Sequence, residues 1–120
     1  MDTATLYGIA NCDTIRKTRR WLEERRLDYQ FHDYRKQGLD ASLLETLEAE
    51  LGWEAMLNRR GRSWRQLPET VHESVDRQAA LELMLDNPAL IKRPILAAGD
   101  RLYLGFDTAQ YQQIFAWTDE

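Results

Sequence analysis

The chain has 120 residues, 43% hydrophobic and 30% charged, with a formal net charge of −4 and a pI near 5.2. That length and mix suit one folded domain with a workable core and exclude a disordered chain. The acidic balance argues against direct nucleic-acid binding, and no apolar run approaches the roughly 20 residues that span a bilayer. One cysteine cannot close an internal disulfide, and Met1-Asp2-Thr3 lacks the basic and apolar regions of a secretion signal. A cytoplasmic protein with no membrane attachment is the expectation.

In chain order, Thr3-Ala4-Thr5-Leu6-Tyr7-Gly8 reads as a short strand, with Gly8 permitting a tight exit. A helix over residues 15–22 follows, and residues 27–32 alternate apolar and polar, the period of a half-buried strand. This opening is a βαβ unit with a right-handed crossover. Arg35-Lys36-Gln37-Gly38 is a polar break. Asp40 then caps a helix carrying Leu43, Leu44, Leu47 and Leu51 on one stripe, closed by Gly52. Residues 53–57 add a short helical piece, and Asn58-Arg59-Arg60-Gly61-Arg62 is a basic loop. Ser63 with Gln66 has the form of a capping box for a brief helix around Trp64 and Leu67. Asp76 caps a helix whose apolar positions are Ala80, Leu81, Met84 and Leu85, ended by Asn87-Pro88. Residues 95–97 and 102–104 flank Ala98-Gly99-Asp100-Arg101 as a β-hairpin. Asp107, with Gln110 three residues on, starts a last helix carrying Tyr111, Ile114 and Phe115.

The order β-α-β, helices over about 40–86, then β-β-α predicts an α/β, thioredoxin-like fold with an inserted helical subdomain. No separate core is legible in the insertion, so residues 1–120 read as a single domain.

Cys12 sits where the first strand gives way to the first helix. A thiol on a helix's first turn faces unpaired backbone N–H groups and the positive end of the helix dipole. Both favour the thiolate, which is the reactive form, although a buried, inert cysteine is an equal reading of position alone. Cys12-Asp13-Thr14-Ile15 lacks the second thiol of a Cys-x-x-Cys pair, so a disulfide at Cys12 needs another molecule, with glutathione the natural candidate. Arg16, Lys17, Arg19, Arg20, Arg25 and Arg26 cluster on the first helix, and Arg59, Arg60, Arg62 and Arg65 form a second basic group. Both groups read as solvated faces or as attractors of an anionic substrate. His32 and His72 lack metal-ligand spacing, no glycine-rich phosphate loop is present, and Trp53 and Trp64 read as core. The sequence therefore indicates no metal and no nucleotide.

Asn11-Cys12-Asp13-Thr14-Ile15-Arg16, Gly52, the Arg59-Arg60 loop, Leu90-Ile91-Lys92-Arg93-Pro94-Ile95 and Gly105-Phe106-Asp107 occur in one order over nearly the whole chain. Together they resemble the arsenate reductase (ArsC)/Spx family, nearest to its small bacterial YffB-type proteins. The resemblance implies a thioredoxin-like fold with a helical insertion and a nucleophile at Cys12. It also implies an anion- or glutathione-binding set of Asn11, Thr14, Arg16, Arg60 and Arg93, with Arg59 a rival to Arg60. Pro94 is expected in the cis form. The implied activity is a glutathione-dependent thiol oxidoreductase, with glutathione as co-substrate and a thiol or oxyanion as substrate. Glutathione-linked arsenate reduction and a Spx-like regulator that binds RNA polymerase are the alternatives. Two departures argue against arsenate reduction. Leu104 stands where those reductases have a third arginine, and Gly8 where they have a histidine. Ile15 argues against the regulator, whose redox switch is Cys-x-x-Cys.

Overall fold

A computed structural model describes residues 3–116; the ends of the expected 1–120 domain lie outside the described residues. The first elements are β1 (Ala4–Gly8), α1 (Asp13–Glu24) and β2 (Tyr29–Asp33). Then come α2 (Tyr34–Gln37), α3 (Ala41–Leu51), α4 (Trp53–Met56), α5 (Arg62–Arg65), α6 (Glu69–Ser74) and α7 (Arg77–Asp86). A 3-10 turn at Pro88–Leu90 leads to β3 (Ile95–Ala98), β4 (Arg101–Leu104) and α8 (Thr108–Ile114). The chain forms two compact units. One joins the segment ending at His32 to the segment from Arg93 onward, and the other is Asp33–Lys92.

The first unit is built on a four-stranded sheet of order β2-β1-β3-β4. β1 alternates buried and half-buried residues, so Ala4, Leu6 and Gly8 face inward. β3 runs antiparallel to β1, with Thr5 opposite Ala97, Leu6 opposite Leu96 and Tyr7 opposite Ile95. β4 returns antiparallel to β3, with Ala98 opposite Arg101, closing the hairpin read from the sequence. α1 contributes Ile15, Thr18, Trp21 and Leu22 from one stripe. Ala4, Leu6, Trp21, Leu22, Leu96 and Tyr111 form the core cluster, with Phe106, Ile114 and Phe115 packed against it. Trp21 and Tyr111 meet edge to face at 5.7 Å, a favoured aromatic geometry. Full burial of one such apolar side chain stabilises by about 1.5–3 kcal/mol.

Two features fix where α8 and β3 begin. The Asp107 side chain accepts from the Ala109 and Gln110 N–H groups, as a cap should. Gly105, at φ +89, donates its N–H to the Pro94 carbonyl at 2.8 Å, tying the end of β4 to the start of β3.

The helical segment is longer than the expected 40–86, because it includes α2 and the chain up to Lys92. It also carries its own buried set, contrary to the sequence reading: Leu44, Leu47, Met56, Leu57, Trp64, Ala80, Met84, Leu90 and Ile91. Leu57 and Ile91 form an isolated antiparallel bridge within it. Asp40 and Asp76 cap α3 and α7, accepting from Leu43 and Ala79. Gly52 ends α3 at φ +84, a conformation that favours glycine. The expected Ser63/Gln66 box is not formed. Gly61 is the N-cap of α5, and Ser63 lies inside the helix. The polar break expected at residues 35–38 instead holds most of α2, which Asp33 caps through the Arg35 N–H. Pro68 precedes α6, a helix without a sequence signal of its own. Buried Glu48 accepts two hydrogen bonds on Oε1 from Arg77, at 3.0 and 2.8 Å.

Candidate active site

Cys12 is the N-cap residue of α1, in an extended conformation with φ −150° and ψ 129°. Its N–H donates to the Ala10 carbonyl, and its carbonyl accepts the first helical hydrogen bond from Arg16, both at 2.9 Å. The side chain is half-buried and is a free thiol. Burial, the largest single influence, pushes the thiol up. It is outweighed by the Ile15 N–H, the Arg93 guanidinium (through a hydrogen bond and its charge) and the Thr14 N–H. The net effect holds Cys12 below the ordinary thiol value. The physics is that of a helix N-terminus: donors with no partner inside the helix converge on the atom that gains charge.

The sheet register brings in Arg93. Tyr7 lies opposite Ile95, so the end of β1 that leads to Cys12 runs beside the start of β3, just after Arg93-Pro94. The Arg93–Pro94 peptide is cis. Pro94 itself is buried.

Arg16, expected in the anion- or glutathione-binding set, is engaged by its own neighbours. Its guanidinium donates to Asn11 Oδ1 at 3.2 Å and pairs with Asp13. These partners are mutual and exposed, so the cation acting on Cys12 is Arg93 and not Arg16. Thr14 contributes its backbone, and its carbonyl is held by Thr18 Oγ1 at 2.7 Å. The sequence reading missed Ile15 as a donor to sulfur, because a backbone N–H leaves no signature in residue identity.

Gly8 also differs from expectation. Its φ is not positive, so no turn demands glycine there. The demand is spatial: a Cβ would lie 2.3 Å from Ile15 Cδ1. His32, in the same unit, packs its ring 5.2 Å from that of Tyr7.

Arg60 belongs to the helical unit, on the loop before α5. Its side chain is exposed, and its N–H donates to Asn58 Oδ1 at 3.1 Å. The Arg59 guanidinium lies 5.9 Å from the Trp53 ring centre and 5.5 Å from that of Trp64, within cation–π range. His72 stacks on Trp64 at 4.4 Å and hydrogen-bonds its carbonyl at 2.7 Å. Trp64 is buried and Trp53 half-buried. Among the described residues no cluster of three or more His, Cys, Asp or Glu side chains could hold a metal ion. None of their helices is long and apolar enough to cross a membrane.

A single half-buried cysteine at the start of the helix that follows the first strand, faced by Arg93 and carried by a β2-β1-β3-β4 sheet, defines a one-thiol protein of thioredoxin-like fold. The chain belongs to the ArsC family, whose model matches residues 7–114. It is similar to a solved YffB protein, with 44% identity, a TM-score of 0.87 and coverage of 93% of this chain and 98% of that one. An arsenate reductase (ArsC) related protein from Brucella melitensis is 47% identical over 97% of each chain, with a TM-score of 0.80. The global transcriptional regulator Spx of Enterococcus faecalis is 30% identical over 105 residues, covering 86% of this chain and 79% of that protein.

Proposed function

We propose that the protein is a glutathione-dependent thiol oxidoreductase with Cys12 as its single nucleophile. One observation carries the reading: two backbone N–H groups and the Arg93 guanidinium converge on Cys12 and hold it below the ordinary thiol value. Membership of the ArsC family and likeness to an arsenate reductase related protein support it. In the proposed cycle, the Cys12 thiolate attacks the glutathione sulfur of a mixed disulfide. The substrate's S–S bond breaks, a Cys12–glutathione disulfide forms, and the departing thiolate takes a proton from water. A second glutathione thiolate then attacks the glutathione sulfur of that adduct, releasing Cys12 thiolate and glutathione disulfide. The net exchange converts the glutathionyl mixed disulfide and one free glutathione thiol into the substrate thiol and glutathione disulfide. No second protein thiol is needed, in keeping with Ile15 in place of a resolving cysteine. Arg93 is suited to orient a glutathione carboxylate through its planar fork.

Intact mass tests the reading. Glutathione disulfide should add one glutathione to the wild-type protein and none to Cys12→Ser, and reduced glutathione should remove it. Failure to form the adduct, or an adduct that glutathione leaves in place, refutes the proposal.

The Spx relative raises the regulator reading. Gly52, a landmark of the family resemblance, is already required here by its φ of +84 and so adds no support to that reading. Retention of the C-terminal domain of RNA polymerase α by the immobilised protein would favour the regulator.

A further inference from the structure

The end of β1 and the first turn of α1 are keyed into each other. A Cβ on Gly8 would meet Ile15 Cδ1 at 2.3 Å and Cγ1 at 3.0 Å, both inside van der Waals contact. Ile15 is 0% exposed, so its ethyl tip is confined by the close packing of the interior. The isoleucine that fills this notch also presents its backbone N–H to the Cys12 sulfur. What lies between the turn and the strand at this point is an isoleucine tip on a bare glycine.

We propose that Gly8 and Ile15 are positioning residues for Cys12, the seat of the isoleucine on the glycine fixing where the Ile15 N–H points. A methyl group at position 8 would lift the first turn away from β1 and carry that N–H off the sulfur. Truncating Ile15 to alanine would leave the turn unseated, with the same result. Gly8 then has a purpose distinct from chain reversal, and Ile15 is more than a missing thiol. These changes leave the side chains of Arg93, which faces Cys12 from just before β3, and of Asp13 and Arg16 chemically unaltered. The proposal rests on Cys12 as the reacting thiol, but not on glutathione as its partner.

The test is a set of four variants: Gly8→Ala, Ile15→Ala, Ile15→Val, and Gly8→Ala with Ile15→Val. Thiolate absorbance gives the titration of Cys12, with Cys12→Ser as the blank. Its rate with a neutral thiol reagent at constant pH follows the thiolate fraction. Gly8→Ala and Ile15→Ala should each move the titration upward and slow the neutral reagent severalfold. Ile15→Val keeps most of the seat and should stay near wild type. The double variant removes the clashing Cδ1 and should recover most of the loss. That recovery is something general destabilisation would not produce. A folded Gly8→Ala protein with an unshifted titration overturns the proposal, as does a double variant that folds without recovery. If Gly8→Ala does not fold, Ile15→Ala decides, and an unchanged titration there overturns it. Loss of glutathione adduct formation with this titration pattern intact would refute the proposed cycle alone.

Discussion

Arg93→Ala removes from Cys12 both a hydrogen bond and a positive charge. A hydrogen bond to a charged group contributes roughly 1.5–3 kcal/mol. Cys12 and Arg93 are each half-buried, and solvent screening brings the expected loss down to about 1–2 kcal/mol. In rate terms this is about five- to thirtyfold for Cys12 against an anionic disulfide, since about 1.4 kcal/mol is tenfold. Stopped-flow rates with glutathione disulfide and with a neutral disulfide, at fixed ionic strength, divide the loss. The neutral reagent reads only the thiolate, whereas glutathione disulfide also reads any grip on its carboxylates, so its loss should be the larger. Arg93→Lys should recover part of the loss, because an ammonium keeps the charge without the planar fork. Arg20, exposed on α1, is the control, with Arg20→Ala expected within about 0.5 kcal/mol of wild type. An Arg93→Ala protein that reacts as fast as wild type with both disulfides would refute the assignment of Arg93 to Cys12. Equal losses with both would confine Arg93 to stabilising the thiolate.

The lowered Cys12 value also predicts a pH-dependent stability. The folded chain gives up the thiol proton at a lower pH than the unfolded chain, whose thiol titrates at about 8.5. The advantage of wild type over Cys12→Ser should therefore be complete above that value and vanish as pH falls through the folded titration; a urea-midpoint difference that is flat or falls with rising pH contradicts this. Gly52→Ala should destabilise by about 1–3 kcal/mol, because φ +84 with ψ 139 is a region essentially reserved for glycine. Urea unfolding measures it, and a loss below a few tenths of a kcal/mol would refute the backbone account of Gly52.

The parts of the fold legible in the sequence are those with a local chemical signal. Asp40, Asp76 and Asp107 each accept an N–H two or three residues on, as their positions suggested. The break at Gly99-Asp100 is equally local. Short helices leave little trace because four to six residues show almost no periodicity; α2 resembles a polar break, and α6 starts at Pro68 without a side-chain cap. Ser63 gives a false signal because a capping box needs a non-helical backbone at the first residue, and Ser63 is already helical. At the site, the residue types of Cys12 and Arg93 were legible, but the aim of Arg16 was not. Asp13 and Asn11 compete for its guanidinium, and only three-dimensional geometry decides such a contest.

The antiparallel register of β1 and β3 has a consequence for the history of the molecule. Cys12 is made early in the chain and Arg93 late, with the helical unit between them. A chain still lacking β3 carries a cysteine without its arginine, and the strand that would seat α1 has no antiparallel neighbour. The Arg93 contribution to Cys12 thus belongs to the finished molecule: it arrives only once β3 has paired with β1. In an unfinished or unfolded chain Cys12 titrates as an ordinary thiol, without the Arg93 contribution.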